Sequence, residues 1–503
     1  MQYETLAAVD LGSNSFHLQI GRIVDDQIYL LDGLREPVRL GAGLTRDKRI
    51  DRATQVRALD ALRRFSDRLR GFPPDAVRVV GTNALRVAKN ARPFLAEAKE
   101  ALGFPIEIIA GREEARLIYL GVAHSLPLSR EKRLVMDIGG GSTEFIIGTG
   151  HEPRLMDSLY MGCVSFSLKY FADGRIEKPA FKQAELAART ELQTIVKQYT
   201  RHGWGEAVAS SGTARSIAAV LEANGWSEHG ISADGLEKLR SALLKAGDIE
   251  RLALPGLRED RSSILPGGLA IMYAAFTELG IEHMNVSDAA LRQGVLYDLL
   301  GRVQKHDMRE VTVRQFMRRY HVDTAQAQRV AELAGRLHRL VMSGSEPDAH
   351  AEQALAWAAC LHEIGISIAH NSYHKHSAYV IANADMPGFS RMEQSQLARL
   401  VLAHRGKLAK LQDLSPVPGE WEMVFCLRLA SLFCRSRTAL HLPRLGCEMT
   451  ESGFRVLLPE TLLEHRPLSA AALVDEADEW KSIGLRLEVV PMRDAMDKAT
   501  VKT

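Results

Sequence analysis

Cysteine is scarce in this chain, and its spacing excludes the folds that depend on it. Five cysteines occur among 503 residues, an odd number with no Cys-x-x-Cys pair. This pattern argues against a disulfide framework and a zinc knuckle. Residues 1–5 (MQYET) lack the basic flank and long apolar stretch of a signal peptide. No uninterrupted apolar run approaches about 18 residues. These absences predict a reduced, cytoplasmic protein without an integral membrane segment.

A large excess of one charge sign is also missing. Lys and Arg total 64 and Asp and Glu total 62, a formal net charge of +2, so no nucleic-acid partner is expected. The chain is 46% apolar, 25% charged and 6% aromatic, which is typical of globular protein and excludes disorder. At roughly 100–200 residues per domain, the length predicts three or four domains.

The first half of the sequence contains an internal duplication. Residues 6–21 read LAAVDLGSNSFHLQIG, and residues 133–148 read RLVMDIGGGSTEFIIG. Aligning Asp10 with Asp137 also aligns the small residues that follow each of them. In both copies an apolar run ends in Asp, passes through a cluster of small residues and enters a second β-prone run. This pattern is typical of a hairpin with a turn that tolerates unusual backbone angles.

A second element repeats at a similar offset. Residues 78–86 (RVVGTNALR) and 207–215 (AVASSGTAR) both predict a strand, a Gly-Thr turn and a helix. The simplest account is two copies of one α/β unit, each with two loops of small residues. Because duplicated halves commonly bind a ligand between them, we expect these loops to face each other across a cleft.

The character of the sequence changes near residue 300. From about residue 313 to 440 it reads as consecutive amphipathic helices, and after about residue 446 the runs GFRVLLP and LRLEVVP indicate a small α+β piece. The fold class is therefore α/β, with an all-α domain and a small C-terminal domain after the duplicated lobes. The predicted domains are residues 1–124, 125–303, 304–445 and 446–503.

The loop over residues 137–144 (DIGGGSTE) has the composition of a phosphate site. Its glycines let backbone N–H groups approach an anion closely, and the Ser-Thr pair adds hydroxyl donors. A carboxylate at each end, Asp137 and Glu144, suits a divalent cation that is also bound by phosphates and waters. The alternative is a glycine-rich hairpin with solvated acids. The earlier loop, residues 10–15 (DLGSNS), suits binding of phosphoryl oxygens.

Two adjacent glutamates open a predicted helix within residues 111–117 (GREEARL). From spacing alone, Glu113 and Glu114 are either capping groups favoured in a first helical turn, or one of them is a base that orients water toward phosphorus. Arg86, near the end of the first Gly-Thr element, is either a planar donor to phosphoryl oxygen or a surface arginine.

Several strings, in this order, resemble one family: DLGSNSFHL, GTNALR, GREEARLIYLGV, MDIGGGSTEFIIG, SSGTARSIA, SDAALRQGVLYDLL and LHEIGISIAHNSYHKHSAYVI. The chain is similar to exopolyphosphatases of the family shared with guanosine pentaphosphate phosphohydrolases (Ppx/GppA), within the actin/Hsp70/sugar-kinase superfamily. The resemblance implies two duplicated ribonuclease-H-like lobes around a catalytic cleft. It also implies an all-α domain related to HD phosphohydrolases, a small α+β C-terminal domain and a homodimer.

The resemblance also implies roles for single residues. Glu114, rather than Glu113, would be the catalytic base, Arg86 would bind phosphoryl oxygens during catalysis, and Asp137 and Glu144 would hold Mg²⁺. The residues that would line the phosphate path are Asp10, Ser13, Asn14, Ser15, Thr82, Asn83, Gly139, Gly140, Gly141, Ser142, Ser211, Gly212 and Thr213.

The helical domain departs from the metal-binding HD pattern. That pattern has a His-Asp doublet and a further Asp, where this chain has His362-Glu363 and Ser431. We therefore expect no second metal centre. His374 and His376 are expected to be structural or part of a surface that binds a polyanion.

A basic stretch precedes those histidines. Residues 301–340 contain nine Lys or Arg against four Asp or Glu. With His374, His376, Arg405 and Lys407, this stretch either lines a track for a long polyanion or forms a solvated helix face.

The expected function is Mg²⁺-dependent release of orthophosphate from the end of linear inorganic polyphosphate. Hydrolysis of guanosine pentaphosphate (pppGpp) in the same cleft fits the same motifs, and no guanine pocket can be located from the sequence. A sugar or acetate kinase would need an acceptor site where this chain has GREEARL. A non-enzymatic sensor of polyphosphate or of an alarmone such as ppGpp would need neither a base nor a metal pair.

Overall fold

The computed structural model of the protein describes residues 3–24, 27–127, 129–303, 307–343, 348–411, 419–438 and 445–492. The chain divides into two compact units. Unit 1 comprises Met1–Met308 and Pro387–Arg391, and unit 2 comprises Arg309–Met386 and Met392–Thr503. Residues 304–306 of the basic stretch lie outside the described residues.

The strands of unit 1 are β1 (Thr5–Leu11), β2 (Phe16–Val24), β3 (Gln27–Glu36), β4 (Val77–Gly81), β5 (Ile106–Ile108), β6 (Lys132–Ile138), β7 (Thr143–Thr149), β8 (Glu152–Leu159), β9 (Glu206–Ser210), β10 (Ile231–Ser232) and β11 (His283–Val286). Its α-helices are α1 (Arg52–Arg68), α2 (Asn83–Val87), α3 (Ala91–Leu102), α4 (Gly111–Ser125), α5 (Cys163–Tyr170), α6 (Lys178–His202), α7 (Ser211–Ala223), α8 (Ala233–Ala246), α9 (Glu259–Ser262), α10 (Leu265–Leu279) and α11 (Leu291–Val303). Short 3-10 helices span Pro74–Ala76 and Ile249–Arg251.

The later helices are α12 (Met308–Arg319), α13 (Thr324–Val341), α14 (Ala349–Leu361), α15 (Tyr373–Asn383), α16 (Arg391–Ala403), α17 (Glu420–Phe433), α18 (Glu460–His465) and α19 (Pro467–Lys481). The later strands are β12 (Gly446–Thr450), β13 (Gly453–Pro459) and β14 (Arg486–Met492). Further 3-10 helices span Ile364–Ser367, Leu408–Leu411 and Cys434–Ser436.

Unit 1 contains two sheets that share a central strand order. The first sheet runs β3-β2-β1-β4-β5 and the second runs β10-β11-β9-β6-β7-β8. In both, the first strand of the motif hairpin pairs antiparallel with the second strand and parallel with the strand of the Gly-Thr element. The duplication predicted from the sequence is therefore present in the fold. Because parallel strands end at the same edge of a sheet, each sheet presents its two motif loops together.

A hydrophobic cluster joins the two sheets through α4 and α11. It includes Val80 of β4 and Val135 of β6 together with Leu117 and Leu296. The two helices cross in backbone contact, since a Cβ atom at Gly294 would lie 1.7 Å from the carbonyl oxygen of Leu117. The crossing therefore requires glycine, and it holds the first turn of α4 against both sheets.

Buried charges reinforce the same helix pair. Arg116 donates to both carboxylate oxygens of Glu113 at 2.8 Å and also pairs with Asp298 of α11. Asp298 accepts in addition from Arg78 of β4 at 2.6 Å and from Arg302 at 3.1 Å. Removing one partner of a buried ion pair typically costs about 3–5 kcal/mol. This network therefore strongly constrains where α4 lies.

Unit 2 combines helices with a three-stranded sheet of order β12-β13-β14. β12 and β13 form an antiparallel hairpin, and α18 and α19 connect β13 to its parallel neighbour β14. Phe425 of α17 stacks on Phe454 of β13 at 4.1 Å, and Trp480 of α19 meets both rings edge-on. The helical and α+β segments of the sequence thus share an aromatic contact within one unit. Within the described part of the chain, no helix has the length and apolar character needed to cross a membrane.

Candidate active site

The four motif loops of unit 1 line one cavity of about 630 Å³. Loops from the two sheets approach closely there. A Cβ atom at Gly140 would lie 3.0 Å from the Cβ of Ser13, and one at Gly141 would lie 2.5 Å from Oδ1 of Asn83. Glycines therefore allow the loops to face each other, as the duplicated sequence predicts.

Most of the residues predicted for the site line this cavity. Glu114 and Asp137 do so, together with the predicted phosphate-binding residues Asp10, Ser13, Asn14, Ser15, Thr82, Asn83, Gly139, Gly140, Gly141, Ser142, Ser211, Gly212 and Thr213. Glu144 and Arg86 lie behind the lining. Glu144 is 1% exposed and its Oε1 accepts a hydrogen bond from the Ser158 hydroxyl at 2.7 Å. Arg86 reaches the cavity only through Glu114.

Four buried carboxylates lie close enough to influence one another. The pKa of Asp10 is raised to about 7, mainly by burial; Arg292 opposes this rise, and Glu114 and Asp137 add to it. Burial raises the pKa of Asp137 to about 6, although the Ser210 hydroxyl donates to it at 2.5 Å. The pKa of Glu144 is raised well above its usual range by burial and by its neighbours Glu114 and Asp137. Burial disfavours the ionised state of these carboxylates, and repulsion between neighbours adds to this effect at Asp10, Glu114 and Glu144.

Two oxygen atoms of this group have no hydrogen-bond partner among the described residues. They are Oδ1 of Asp10 and Oε2 of Glu144, and both are buried. Buried anionic oxygens without partners are costly, and a hard divalent cation is the species that carboxylate oxygens bind best. The described residues contain no closed group of three metal-ligating side chains. The donor set therefore fits a cation that takes its other ligands from phosphate and water.

The structure distinguishes the two adjacent glutamates that spacing could not separate. Glu113 is bound bidentately by Arg116 on its own helix. Glu114 lines the cavity, and its Oε2 accepts a hydrogen bond from Arg86 at 3.2 Å. Burial raises the pKa of Glu114, and Arg86 counteracts part of that rise. Arg86 is itself held by the carbonyl oxygen of Ile109 at 2.9 Å.

The cavity is also lined by arginines that the sequence analysis did not single out. They are Arg35, Arg215, Arg258, Arg261 and Arg292. These arginines act on His17, because burial and then Arg292, Arg35, Arg215 and Arg261 lower the pKa of its imidazole to about 2. Arg292 could have been found, because SDAALRQG is one of the strings that carry the family resemblance. The others come from elements far apart in the chain, and only the fold brings them together.

Ser211 has an unusual backbone at the edge of this cavity. It opens α7 with φ of 86°, a region that side chains other than glycine rarely adopt. Its hydroxyl donates to the carbonyl oxygen of Ile138 at 3.1 Å, which links the second Gly-Thr loop to the end of β6. Backbone strain of this kind is commonly retained at functional sites.

Comparisons with known proteins agree with this architecture. The family model described as Ppx/GppA phosphatase family matches residues 19–303, and the model described as Ppx/GppA phosphatase, domain III, matches residues 308–477. The crystal structure of an exopolyphosphatase from Cytophaga hutchinsonii is 27% identical with a TM-score of 0.54, covering 59% of this chain and 97% of that one. The Aquifex aeolicus PPX-GPPA enzyme is 26% identical with a TM-score of 0.50, covering 58% of this chain and 98% of that one.

The duplicated α/β lobes and the cavity between their motif loops define a phosphatase. The two family models together span most of the sequence, and the chain belongs to the Ppx/GppA phosphatase family.

Proposed function

We propose that this phosphatase is an exopolyphosphatase, which hydrolyses the terminal phosphoanhydride bond of linear inorganic polyphosphate and releases orthophosphate. One observation carries the proposal: the same cavity is lined by buried carboxylates and by several arginines. A phosphatase that acts on the end of a long polyanion needs both. The carboxylates serve the chemistry at the terminal phosphoryl group, and the arginines bind the remaining chain. The printed name of the Cytophaga hutchinsonii relative supports the same substrate class.

The base in the proposed reaction is Glu114. Its raised pKa makes its carboxylate a better proton acceptor than a solvated glutamate, and general base catalysis typically contributes about 10²–10⁴-fold. The oxygen of a water attacks the terminal phosphorus while the bond to the bridging oxygen breaks. The proton from the water passes to Glu114, and the shortened polyphosphate leaves with the electron pair of the broken bond.

Positioning and charge neutralisation supply the rest of the acceleration in reactions of this kind. The proposed phosphoryl donors are the backbone N–H groups and hydroxyls of residues 12–15, 82–83, 139–142 and 211–213. Asp137 and Glu144 would hold Mg²⁺, and the buried unpartnered oxygen of Asp10 makes that carboxylate a further candidate ligand. When bound, Mg²⁺ would neutralise charge on the non-bridging phosphoryl oxygens.

The arginines give the proposed binding of the chain beyond the terminal phosphate. Arg215, Arg261 and Arg292 line the cavity, and burial lowers the pKa of both Arg261 and Arg292. Planar guanidinium groups bind phosphoryl oxygens through paired hydrogen bonds. A bound polyanion would stabilise these desolvated arginines.

The second candidate function is hydrolysis of pppGpp, since the family takes in both phosphohydrolases. The described residues that line the cavity include no Phe, Tyr or Trp. A guanine base would therefore lack a large aromatic ring to stack on, which favours polyphosphate. A homodimer and a cytoplasmic location are part of the same proposal.

The test is orthophosphate release by the purified protein with Mg²⁺, comparing long-chain polyphosphate with pppGpp and using Glu114→Gln as the control. We expect release from polyphosphate that disappears in the variant. Release from pppGpp alone would show that the same site acts in alarmone turnover. Absence of release from both would favour a sensor of polyphosphate or alarmone.

A further inference from the structure

Unit 2 contains a cavity of its own, of about 750 Å³. It is lined by residues of α13, of the segments that follow α14 and α16, of α15, of α17 and the residues after it, and of α19. Its volume lies within the range of about 300–1,000 Å³ that is typical of sites for small ligands. Nothing in the proposed exopolyphosphatase reaction uses it.

Two buried imidazoles present fixed hydrogen-bond acceptors to this cavity. Nδ1 of His362 lies 2.6 Å from the carbonyl oxygen of Ala359, and Nδ1 of His404 lies 2.6 Å from that of Val401. Because a carbonyl oxygen only accepts, each Nδ1 carries the proton and each Nε2 is an acceptor. Burial lowers the pKa of both histidines and keeps them neutral.

These acceptors are suited to a ligand with hydrogen-bond donors. The nearest donor to Nε2 of His404 is the Tyr373 hydroxyl, at a long 3.4 Å that a closer ligand donor would replace.

Internal ion pairs shape the cavity. Arg428 donates to both carboxylate oxygens of Glu476 at 2.5 and 2.8 Å, and to the carbonyl oxygens of Ala403 and Gly406. It therefore fixes the loop that follows α16. Arg437 binds Glu363 in the same bidentate way, at 2.8 and 2.9 Å.

Further cations line the cavity near the loop that Arg428 fixes. They are Arg405, Lys407 and Arg435, and none of the three forms an ion pair among the described residues. The pKa of nearby Lys410 is lowered to about 8, mainly by burial and also by Arg428 and Lys375. These positive charges repel one another, and a bound anionic ligand would reduce that repulsion.

Acidic residues line the cavity beside these cations. Asp475, Glu476 and Glu479 line the cavity from successive turns of α19. Glu476 is paired with Arg428, and Glu479 accepts from the backbone N–H of Leu408 at 3.1 Å. Asp475 forms no ion pair among the described residues. A bare polyanion would be repelled by these carboxylates, whereas a ligand with both anionic groups and hydrogen-bond donors can satisfy both kinds of residue.

Aromatic rings also line the cavity. Tyr373 packs against His404 with ring centroids 5.6 Å apart, and the guanidinium of Arg405 lies over the Tyr373 ring at 5.3 Å. His370 adds a ring 6.3 Å from Tyr373. Such rings suit a planar base, because stacking on aromatic side chains is the usual way in which nucleobases are bound.

We propose that the cavity of unit 2 binds a phosphorylated nucleoside. Its phosphoryl groups contact Arg405, Lys407 and Arg435. Its hydroxyl or amino donors contact Nε2 of His362 and His404 and the carboxylate of Asp475. The site is separate from the cavity of unit 1 and gives the protein a second ligand class.

The test is isothermal titration of the full-length protein with ADP, inorganic pyrophosphate, adenosine and glucose 6-phosphate, in Mg²⁺-free buffer. The variants are Arg405→Ala/Lys407→Ala for the cations and Asp475→Asn for the carboxylates. Their controls are Lys481→Ala and Asp478→Asn, which change exposed residues of α19 outside the cavity lining. Circular dichroism verifies that each variant is folded.

We expect ADP to bind wild type more tightly than pyrophosphate, adenosine or glucose 6-phosphate. Arg405→Ala/Lys407→Ala should weaken ADP binding by about tenfold or more, and Asp475→Asn by a smaller factor, because charge-assisted hydrogen bonds are the stronger ones. Both controls should bind as wild type does. Absence of ADP binding, or equal binding by the folded Arg405→Ala/Lys407→Ala variant, would overturn the proposal. Pyrophosphate or glucose 6-phosphate binding as tightly as ADP would overturn the assignment to a nucleoside.

Discussion

Two adjacent glutamates with opposite environments allow a double substitution test of the site. Glu114 faces the carboxylate group of the cavity, and its ion-pair partner is Arg86 at 3.2 Å. Glu113 lies within the ion network and binds Arg116 at 2.8 Å through both oxygens. Both side chains are buried. Substitution by glutamine keeps the size of the side chain and removes only the charge, so the two variants are matched.

Glu114→Gln should abolish activity without loss of stability. Removal of a general base typically lowers turnover by about 10²–10⁴-fold. The raised pKa of Glu114 means that its ionised form is disfavoured in the folded protein, so this group contributes stability at low pH and loses it as the pH rises. Near pH 8 the variant should therefore be as stable as wild type or more so, and any gain should shrink as the pH falls toward the usual carboxylate range.

Glu113→Gln should lower the stability of the protein and leave most of its activity. It leaves Arg116 with one carboxylate partner instead of two and weakens the acceptor of the Gly388 N–H, which lies 2.8 Å from Glu113 Oε2. Breaking one side of a buried ion pair costs about 3–5 kcal/mol. The variant should melt earlier than wild type, and its turnover per folded molecule should stay far above that of Glu114→Gln.

The assay is orthophosphate release at saturating polyphosphate and Mg²⁺, paired with thermal unfolding of each variant at pH 6 and pH 8. Concentrations of folded protein are equalised by circular dichroism. If Glu113→Gln loses as much turnover as Glu114→Gln while remaining folded, the assignment of the base to Glu114 alone is wrong. If Glu114→Gln is destabilised at pH 8, the reasoning from burial and repulsion is wrong.

Three further results follow from the same cavity. Asp137→Asn should weaken the Mg²⁺ dependence of turnover as well as the rate, and an unchanged Mg²⁺ titration would exclude Asp137 as a ligand. Mg²⁺ binding near pH 7 should release protons, because the pKa of Asp10 is raised to about 7 and that of Asp137 to about 6 without metal. Titration calorimetry in two buffers of different ionisation enthalpy measures the number of protons released. A value of zero would refute the prediction. Arg292→Ala should raise KM for polyphosphate more than it lowers kcat and should reduce the salt dependence of KM, whereas a pure kcat effect would place Arg292 at the reacting phosphoryl group.

The parts of the site that the sequence predicted well are those encoded within short segments. Each motif loop follows a strand of the sheet directly, so residues 10–15 and 137–142 reach the same cavity once their strands are in place. The duplication indicated which loops would face each other, because equivalent strands end at equivalent positions. Cβ atoms at Gly140 and Gly141 would lie 3.0 Å and 2.5 Å from atoms of the opposite loops, so these glycines also permit the close approach of the loops.

The parts that could not be predicted depend on contacts between distant elements. Arg35, Arg215 and Arg261 come from β3, α7 and α9, and no local pattern groups them. The ion network around Asp298 likewise joins residues more than 180 positions apart, such as Arg116 and Asp298. Charged side chains at such positions look like solvated surface residues until the fold buries them.

Arg86 is the predicted residue whose structural position most changes the chemistry expected of it. The family resemblance implies a direct donor to phosphoryl oxygen, but its side chain lies behind the cavity lining and donates to Glu114 and to the carbonyl oxygen of Ile109. In this position its charge lowers the pKa of Glu114 against the effect of burial. It thereby offsets part of the rise in the pKa of Glu114 that burial causes.

Arg86→Gln should therefore shift the pH dependence of turnover. Without the cation the pKa of Glu114 rises further, and because the base acts when deprotonated, the acidic limb of the pH–rate profile moves to higher pH. Activity should fall most near pH 6 and recover in part toward pH 9, while Glu113→Gln provides a variant of a neighbouring ion pair with no such shift. A uniform loss across the pH range would mean that Arg86 reaches the phosphoryl oxygens after all, since a lost donor to substrate lowers the rate without moving the titration of the base.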